Sequence, residues 1–211
     1  MCKIKAVIFD MDGVLIDAKD WHYEALNRAL KLFAYEINRY DHLVTFDGLP
    51  TRKKLEILTK EHGLPIALHS FLNELKQLYT LELVHARCKP IFQHEYALSN
   101  LKALSYKLAV ASNSIRHTIE VMMQKSNLID YLDVILSNQD VKFGKPDPEI
   151  YLKAISQLEL KPQECLVVED NENGIRAAQE AGANLMVVES VYDVTLDNIL
   201  NRIQHIEAYL K

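Results

Sequence analysis

The sequence has little of what marks out the specialised protein classes. Its three cysteines, Cys2, Cys88 and Cys165, stand far apart with no C-x-x-C spacing, which argues against a disulfide framework or a zinc site. Six glycines and six prolines, never in tandem clusters, exclude collagen-like, linker-rich and low-complexity chains. No H-E-x-x-H pattern occurs among the eight histidines. No Lys/Arg block stands out, and 24 basic residues face 29 acidic ones for a net charge of −5. The basic footprint of a nucleic-acid partner is therefore missing. No apolar run approaches the roughly 18 residues that would cross a bilayer, so no membrane partner is expected. The chain runs from Met1-Cys2-Lys3 straight into Ala6-Val7-Ile8-Phe9, without the apolar stretch of ~7–15 residues and cleavage site of a signal peptide. The expected location is cytoplasmic.

What is present is ordinary globular material. At 211 residues, 49% hydrophobic and 25% charged, the chain suits one or two domains of ~100–200 residues. Short apolar runs recur at Ala6–Phe9, Leu108–Ala111, Val134–Leu136, Leu166–Val168 and Leu185–Val188. Runs that do not alternate suit strands covered on both faces, as in a parallel sheet. Between them lie helical patterns at Ile115–Lys125 after a Ser114 N-cap, at Pro148–Leu158, and at Asn173–Ala181 closed by Gly182. This alternation predicts an α/β fold, a Rossmann-like doubly wound parallel sheet. From 17 to 87 the rhythm changes: only helical stretches are legible, Asp20–Phe33, Arg52–His62 and Ile66–Leu83, punctuated by Gly48-Leu49-Pro50 and Gly63-Leu64-Pro65. The expected organisation is a core of residues 1–16 and 88–211 with an all-helical cap inserted at 17–87.

Chemistry concentrates at the C-terminal ends of the expected strands, where open α/β sheets bind ligands. In Phe9-Asp10-Met11-Asp12-Gly13-Val14 two carboxylates follow a buried strand on a turn that Gly13 permits. Like charges so close are costly unless a cation joins them. This segment resembles the first motif of the haloacid dehalogenase superfamily of phosphohydrolases. Val110-Ala111-Ser112-Asn113 resembles its second motif, Lys145 in Gly144-Lys145-Pro146-Asp147-Pro148 its third, and Val168-Glu169-Asp170-Asn171 with Gly174 its fourth. The order is right and the likeness spans nearly the whole chain, including the place of a helical cap.

The resemblance implies a Mg²⁺-dependent phosphatase acting on a small phosphorylated metabolite, a sugar phosphate being the expected class. Asp10 would attack phosphorus to form an aspartyl-phosphate, and Asp12 would act as general acid and then base, a double role that suits a raised pKa. Asp10, Asp170 and the backbone carbonyl of Asp12 would hold Mg²⁺, with Glu169 either a ligand or a group holding the metal's waters. Ser112 and the backbone N–H of Asn113 would hold phosphate oxygens, and Lys145 would neutralise Asp10 and the transferring group. Asp17 is read as a hinge or cap anchor.

In the cap, Gly48-Leu49-Pro50-Thr51-Arg52 resembles the specificity loop of the β-phosphoglucomutase-like subgroup, and Asp20-Trp21-His22-Tyr23 its first cap helix. Gly48, Thr51, Arg52 and His22 are thus the candidate specificity residues, on a cap expected to close over substrate. A phosphomutase is the nearest alternative. Against it, Asp47 and, by a rough match, Glu82 stand where that subgroup carries lysines. A phospho-receiver domain is excluded because Asp10 lies on the first strand, whereas a non-catalytic phosphate-binding member stays open. Oligomeric state does not follow from the sequence.

Overall fold

A computed structural model describes residues 3–46 and 49–209. Asp47 and Gly48 lie outside the described residues. The chain divides into two compact units: residues up to Asp17 together with those from Lys89 onward, and Ala18–Cys88.

The first unit is built on five strands, β1 (Ala6–Phe9), β2 (Lys107–Ala111), β3 (Val134–Leu136), β4 (Cys165–Glu169) and β5 (Asn184–Val187). They form one parallel sheet in the order β3-β2-β1-β4-β5. Each strand lies within a residue or so of the run that foretold it. The runs do not alternate because both faces are covered. Ala6, Ile8, Ala109, Ala111, Cys165 and Val167 join one buried cluster with Ile150, Tyr151 and Ala154. The intervening Val7, Phe9, Leu108, Val110, Leu166 and Val168 are equally buried. Chain order reverses between β1 and β4, which makes the C-terminal ends of those strands the switch point where α/β sheets take ligands.

The second unit holds the helices α1 (Lys19–Lys31), α2 (Arg39–Asp41), α3 (Thr51–His62) and α4 (His69–Arg87), and no strand among its described residues. A stretch of π-helix, His42–Phe46, follows α2. Leu26, Ala29, Leu30, Phe46, Leu55, Leu58 and Leu72 make its core, with α1 packed along α4. Gly63, at φ 70°, closes α3 in the left-handed conformation that favours glycine. Asn27 is buried and exchanges two hydrogen bonds with the backbone of Ile37, at 2.9 and 2.8 Å, which turns the chain after α1.

Five further helices complete the first unit: α5 (Phe92–Ala103), α6 (Arg116–Lys125), α7 (Glu149–Gln157), α8 (Glu172–Glu180) and α9 (Leu196–Tyr209). The sequence reading did not identify α5 or α9. They pack on each other, α5 also against β2 and α9 against β5. No described helix is long and apolar enough to cross a membrane.

Candidate active site

Strand register assembles the site. Phe9 pairs with Val110 on one side and Val168 on the other, so Asp10, Ala111 and Glu169 come out abreast at the sheet's C-terminal edge. The Asp10 amide donates to Val168 O at 3.0 Å, carrying the ladder one step beyond β1. Lys145 arrives from the loop after β3, and its Nζ donates to Asp10 Oδ1 and to Glu169 Oε1, both at 2.6 Å. Exposure of all three residues is below a tenth.

Glu169 is fully engaged by the protein. Oε1 accepts from Lys145 Nζ and from the Tyr151 hydroxyl, while Oε2 accepts from the amides of Asp170 and Asn171 at 3.0 and 3.3 Å. A carboxylate offers about four lone-pair sites, so these donors use its capacity. The Lys145 ammonium also stands 4.7 Å from the centre of the Tyr151 ring. Gly174 completes the enclosure: a Cβ there would fall 1.7 Å from Glu169 Oε1, so the carboxylate occupies the space a side chain would need.

Burial pushes the Asp10 carboxyl well above the usual range; Lys145 pulls it back without cancelling, and Glu169 and Asp12 push it further up. Burial alone would lower the Lys145 ammonium, yet Asp10 and Glu169 together hold it above its ordinary value. Carboxylate oxygens of Asp10, Glu169 and Asp170 lie within 4.8 Å of one another. Three carboxylates against one ammonium leave an excess of negative charge, and an all-oxygen donor set fits a hard cation such as Mg²⁺.

Asp12 sits on a closed turn. The amides of Leu15 and Ile16 both donate to Met11 O, Gly13 N donates to Ile16 O at 2.7 Å, and Gly13 adopts φ 93°. Opposite it, Ser112, Asn113 and Ser114 follow β2. Ser112 is buried, and its Oγ accepts from the Ser114 amide at 3.1 Å. The Asn113 side chain clasps the Lys145 backbone, accepting from its amide at 3.0 Å and donating to its carbonyl at 3.2 Å. Gly144 permits that approach, since a Cβ there would lie 2.6 Å from Asn113 Oδ1.

One helix start is corrected. Ser114 does not cap α6; Ile115 holds the N-cap position and makes no side-chain cap. The reason is competition: Ser114 Oγ donates instead to Asp12 Oδ2 at 3.0 Å. Asn171 does cap, accepting from the Asn173 amide at 3.0 Å, and starts α8 one residue earlier than expected.

The structure thus gathers Asp10, Asp12, Ser112, Asn113, Lys145, Glu169 and Asp170 at one sheet edge. Sequence reasoning missed Tyr151, the side-chain role of Asn113 and the destination of Ser114. For Tyr151 a signal existed, because a tyrosine on the buried face of a helix needs a partner for its hydroxyl.

The candidate specificity residues lie in the second unit. Thr51 opens α3, and the largely exposed Arg52 pairs with Glu56 at 3.0 Å within that helix. His22 Nδ1, on α1, lies 3.0 Å from Lys76 Nζ on α4. Glu82, read as a charge of the wrong sign for a mutase, is paired with Arg28 at 2.8 Å. Asp17 is exposed.

The model of the haloacid dehalogenase-like hydrolase family matches residues 7–188. A phosphorylated carbohydrates phosphatase of Thermotoga maritima is 31% identical over 199 residues, covering 90% of this chain and 85% of that protein. A 6-phosphogluconate phosphatase of Escherichia coli is 26% identical over 183 residues, covering 86% of this chain and 81% of that protein. Among solved structures, a β-phosphoglucomutase of Clostridium difficile superposes with a TM-score of 0.84 over 97% of this chain and 99% of that one. Its identity is 22%, a likeness of fold alone.

Proposed function

The chain belongs to the haloacid dehalogenase-like hydrolase family, and from that premise we propose that it is a Mg²⁺-dependent phosphatase of small phosphorylated metabolites, sugar phosphates first among them. The observation that carries this is the cluster of buried Asp10, Lys145 and Glu169 with half-buried Asp170, a nucleophile beside its counter-charge with carboxylate oxygens in excess. The phosphatase names of two relatives support the substrate class.

Asp10 and Asp170, with the backbone carbonyl of Asp12, are the residues we assign to the metal. Glu169, whose lone pairs are spent on protein donors, holds Lys145. When bound, Mg²⁺ would absorb charge developing on the phosphoryl oxygens. The Asp10 carboxylate attacks phosphorus as the ester P–O bond breaks, and Asp12 gives its proton to the departing oxygen. Water then attacks the aspartyl-phosphate, Asp12 takes the water's proton, and phosphate leaves. Lys145 neutralises the transferring group, while Ser112 Oγ and the Asn113 amide hold its oxygens. Thr51, Arg52, Gly48 and His22 we assign to substrate choice.

The test is phosphate release from sugar phosphates and p-nitrophenyl phosphate, with Mg²⁺ or with chelator. Hydrolysis should require the metal, and Asp10→Asn should abolish it. Activity above a few per cent in a contaminant-free Asp10→Asn preparation would refute the nucleophile.

One observation favours the phosphomutase alternative: Lys76, beside His22, adds a cation to the helical unit that the comparison at Asp47 and Glu82 did not include. With β-glucose 1-phosphate and a trace of bisphosphate, a phosphatase frees inorganic phosphate, whereas a mutase isomerises the sugar phosphate without release.

A further inference from the structure

Three consecutive side chains after β2 go to three different places. Ser112 is buried at the strand end, Asn113 clasps the backbone that carries Lys145, and Ser114 reaches the carboxylate of Asp12. The Ser114 contact is not a local turn, since it joins residues 102 positions apart. Nor is it helix capping, which falls to Ile115. Its base is fixed at both ends: the Ser114 amide donates to Ser112 Oγ at 3.1 Å, and its carbonyl accepts from the Asn138 amide at 3.1 Å.

We propose that Ser114 is a positioning residue for Asp12, aiming the acid–base carboxyl at the leaving oxygen in both of its protonation states. This rests on the role given to Asp12 above. In that role Asp12 alternates between carboxylic acid and carboxylate within one turnover. A carboxylate only accepts, whereas a carboxylic acid carries its proton on one oxygen and still accepts on the other. By donating to Oδ2 in both states, the Ser114 hydroxyl keeps the acid's proton on the other carboxyl oxygen, with no heavy atom moving. The turn closed on Met11 O keeps the backbone of Asp12 in place meanwhile. Two hydroxyls two residues apart therefore divide the work: Ser112 serves the phosphoryl group and Ser114 serves the proton.

The experiment compares the wild-type full chain with Ser114→Ala and Ser114→Thr, with Mg²⁺, on a sugar phosphate and on p-nitrophenyl phosphate. Nitrophenolate departs without a proton, so a fault in acid catalysis spares it. Ser114→Ala should lower kcat on the sugar phosphate about tenfold more than on the nitrophenyl ester, with KM little changed, and Ser114→Thr should restore the ratio. Equal loss on both esters, or a threonine variant as impaired as the alanine one, would overturn the proposal. If the wild type hydrolyses neither ester, the phosphatase reading falls by itself. The positioning is then decided by the crystal structure of Ser114→Ala: a changed Asp12 rotamer supports it and an unmoved Asp12 overturns it.

Discussion

Both units of this chain carry surface ion pairs, but the α/β unit also buries a charged cluster. In the α/β unit Lys145 is enclosed with Asp10 and Glu169, the three side chains only 5%, 12% and 1% exposed. In the helical unit Arg28–Glu82, Lys31–Glu36, Arg39–Asp20, Arg52–Glu56 and Arg87–Glu24 are pairs whose side chains stay between 39% and 87% exposed. Exposed pairs are worth little, because water solvates both partners nearly as well apart. A buried cluster is different: desolvation is large, and only mutual attraction and hydrogen bonds offset it. The α/β unit keeps such a cluster, with negative charge in excess, where a cation and a phosphoryl group would complete it. The helical unit can change its exposed surface charges at low cost.

The contrast can be broken most sharply at Lys145. Lys145→Met removes a cation bonded to two buried carboxylates, and breaking a buried pair from one side costs about 3–5 kcal/mol. Denaturant unfolding should show that loss, and activity should vanish with it. Adding Glu169→Gln should recover part of the stability and none of the activity. A Lys145→Met protein that unfolds at the wild-type denaturant concentration would mean that the cluster is not coupled to folding.

A second, smaller effect concerns a buried group outside the cluster. His94 is enclosed on α5, with Nε2 2.7 Å from Val191 O and the backbone of Leu15 as its second hydrogen-bonding partner. Burial pushes the imidazole below its ordinary 6.5, and the two backbone partners oppose that without reversing it. The unfolded chain therefore binds a proton more readily than the folded one just below pH 6.5, so this contribution to stability is full above that value. It falls as the pH drops through the folded pKa. His94→Gln should remove that part of the pH dependence, read as a wild-type advantage in unfolding free energy that shrinks on acidification. An advantage that grows on acidification would mean that His94 is held protonated.

These effects also divide what the sequence reveals from what it conceals. Asp10, Asp12 and Asp170 were legible because they follow apolar runs, and Lys145 because Gly144-Lys145-Pro146 resembles the family's third motif; strand register does the rest. Ser112, Asn113 and Glu169 were legible as positions only. The partners that fix them, Ser114 for Asp12, the Asn113 amide for Lys145 and Tyr151 for Glu169, are separated by 102, 32 and 18 positions. No periodicity connects such pairs, so they exist only once the sheet has formed. The same limit made Ser114 look like a helix cap: the local rule was sound, but a carboxylate brought in by β1 competed for the hydroxyl. Helix α5 escaped notice as the interval before the Leu108 run, and α9 because it follows the last strand signal. In the helical unit Lys76 was passed over, since its nearness to His22 depends on how α1 lies along α4.

The smallest effect is expected where the structure draws its most regular surface pair. Arg87 grips Glu24 with both guanidinium nitrogens, at 2.7 and 3.2 Å, and so links the end of α4 to α1. Bidentate geometry is the arrangement that gives a surface pair its best chance of mattering. Yet the side chains are 46% and 39% exposed, and the two helices already pack through the apolar cluster that contains Leu26, Ala29, Leu30 and Leu72. A double-mutant cycle of Arg87→Met and Glu24→Gln should return a coupling of about 1 kcal/mol or less. Raising the salt concentration should shrink it further, because exposed charges are screened over about 10 Å at 0.1 M. Activity toward p-nitrophenyl phosphate should stay at the wild-type level in both single variants. A coupling of about 2 kcal/mol or more that persists in high salt would exceed the range of exposed pairs. It would place this link among the charges that the fold depends on, and the division of labour between the two units would no longer hold.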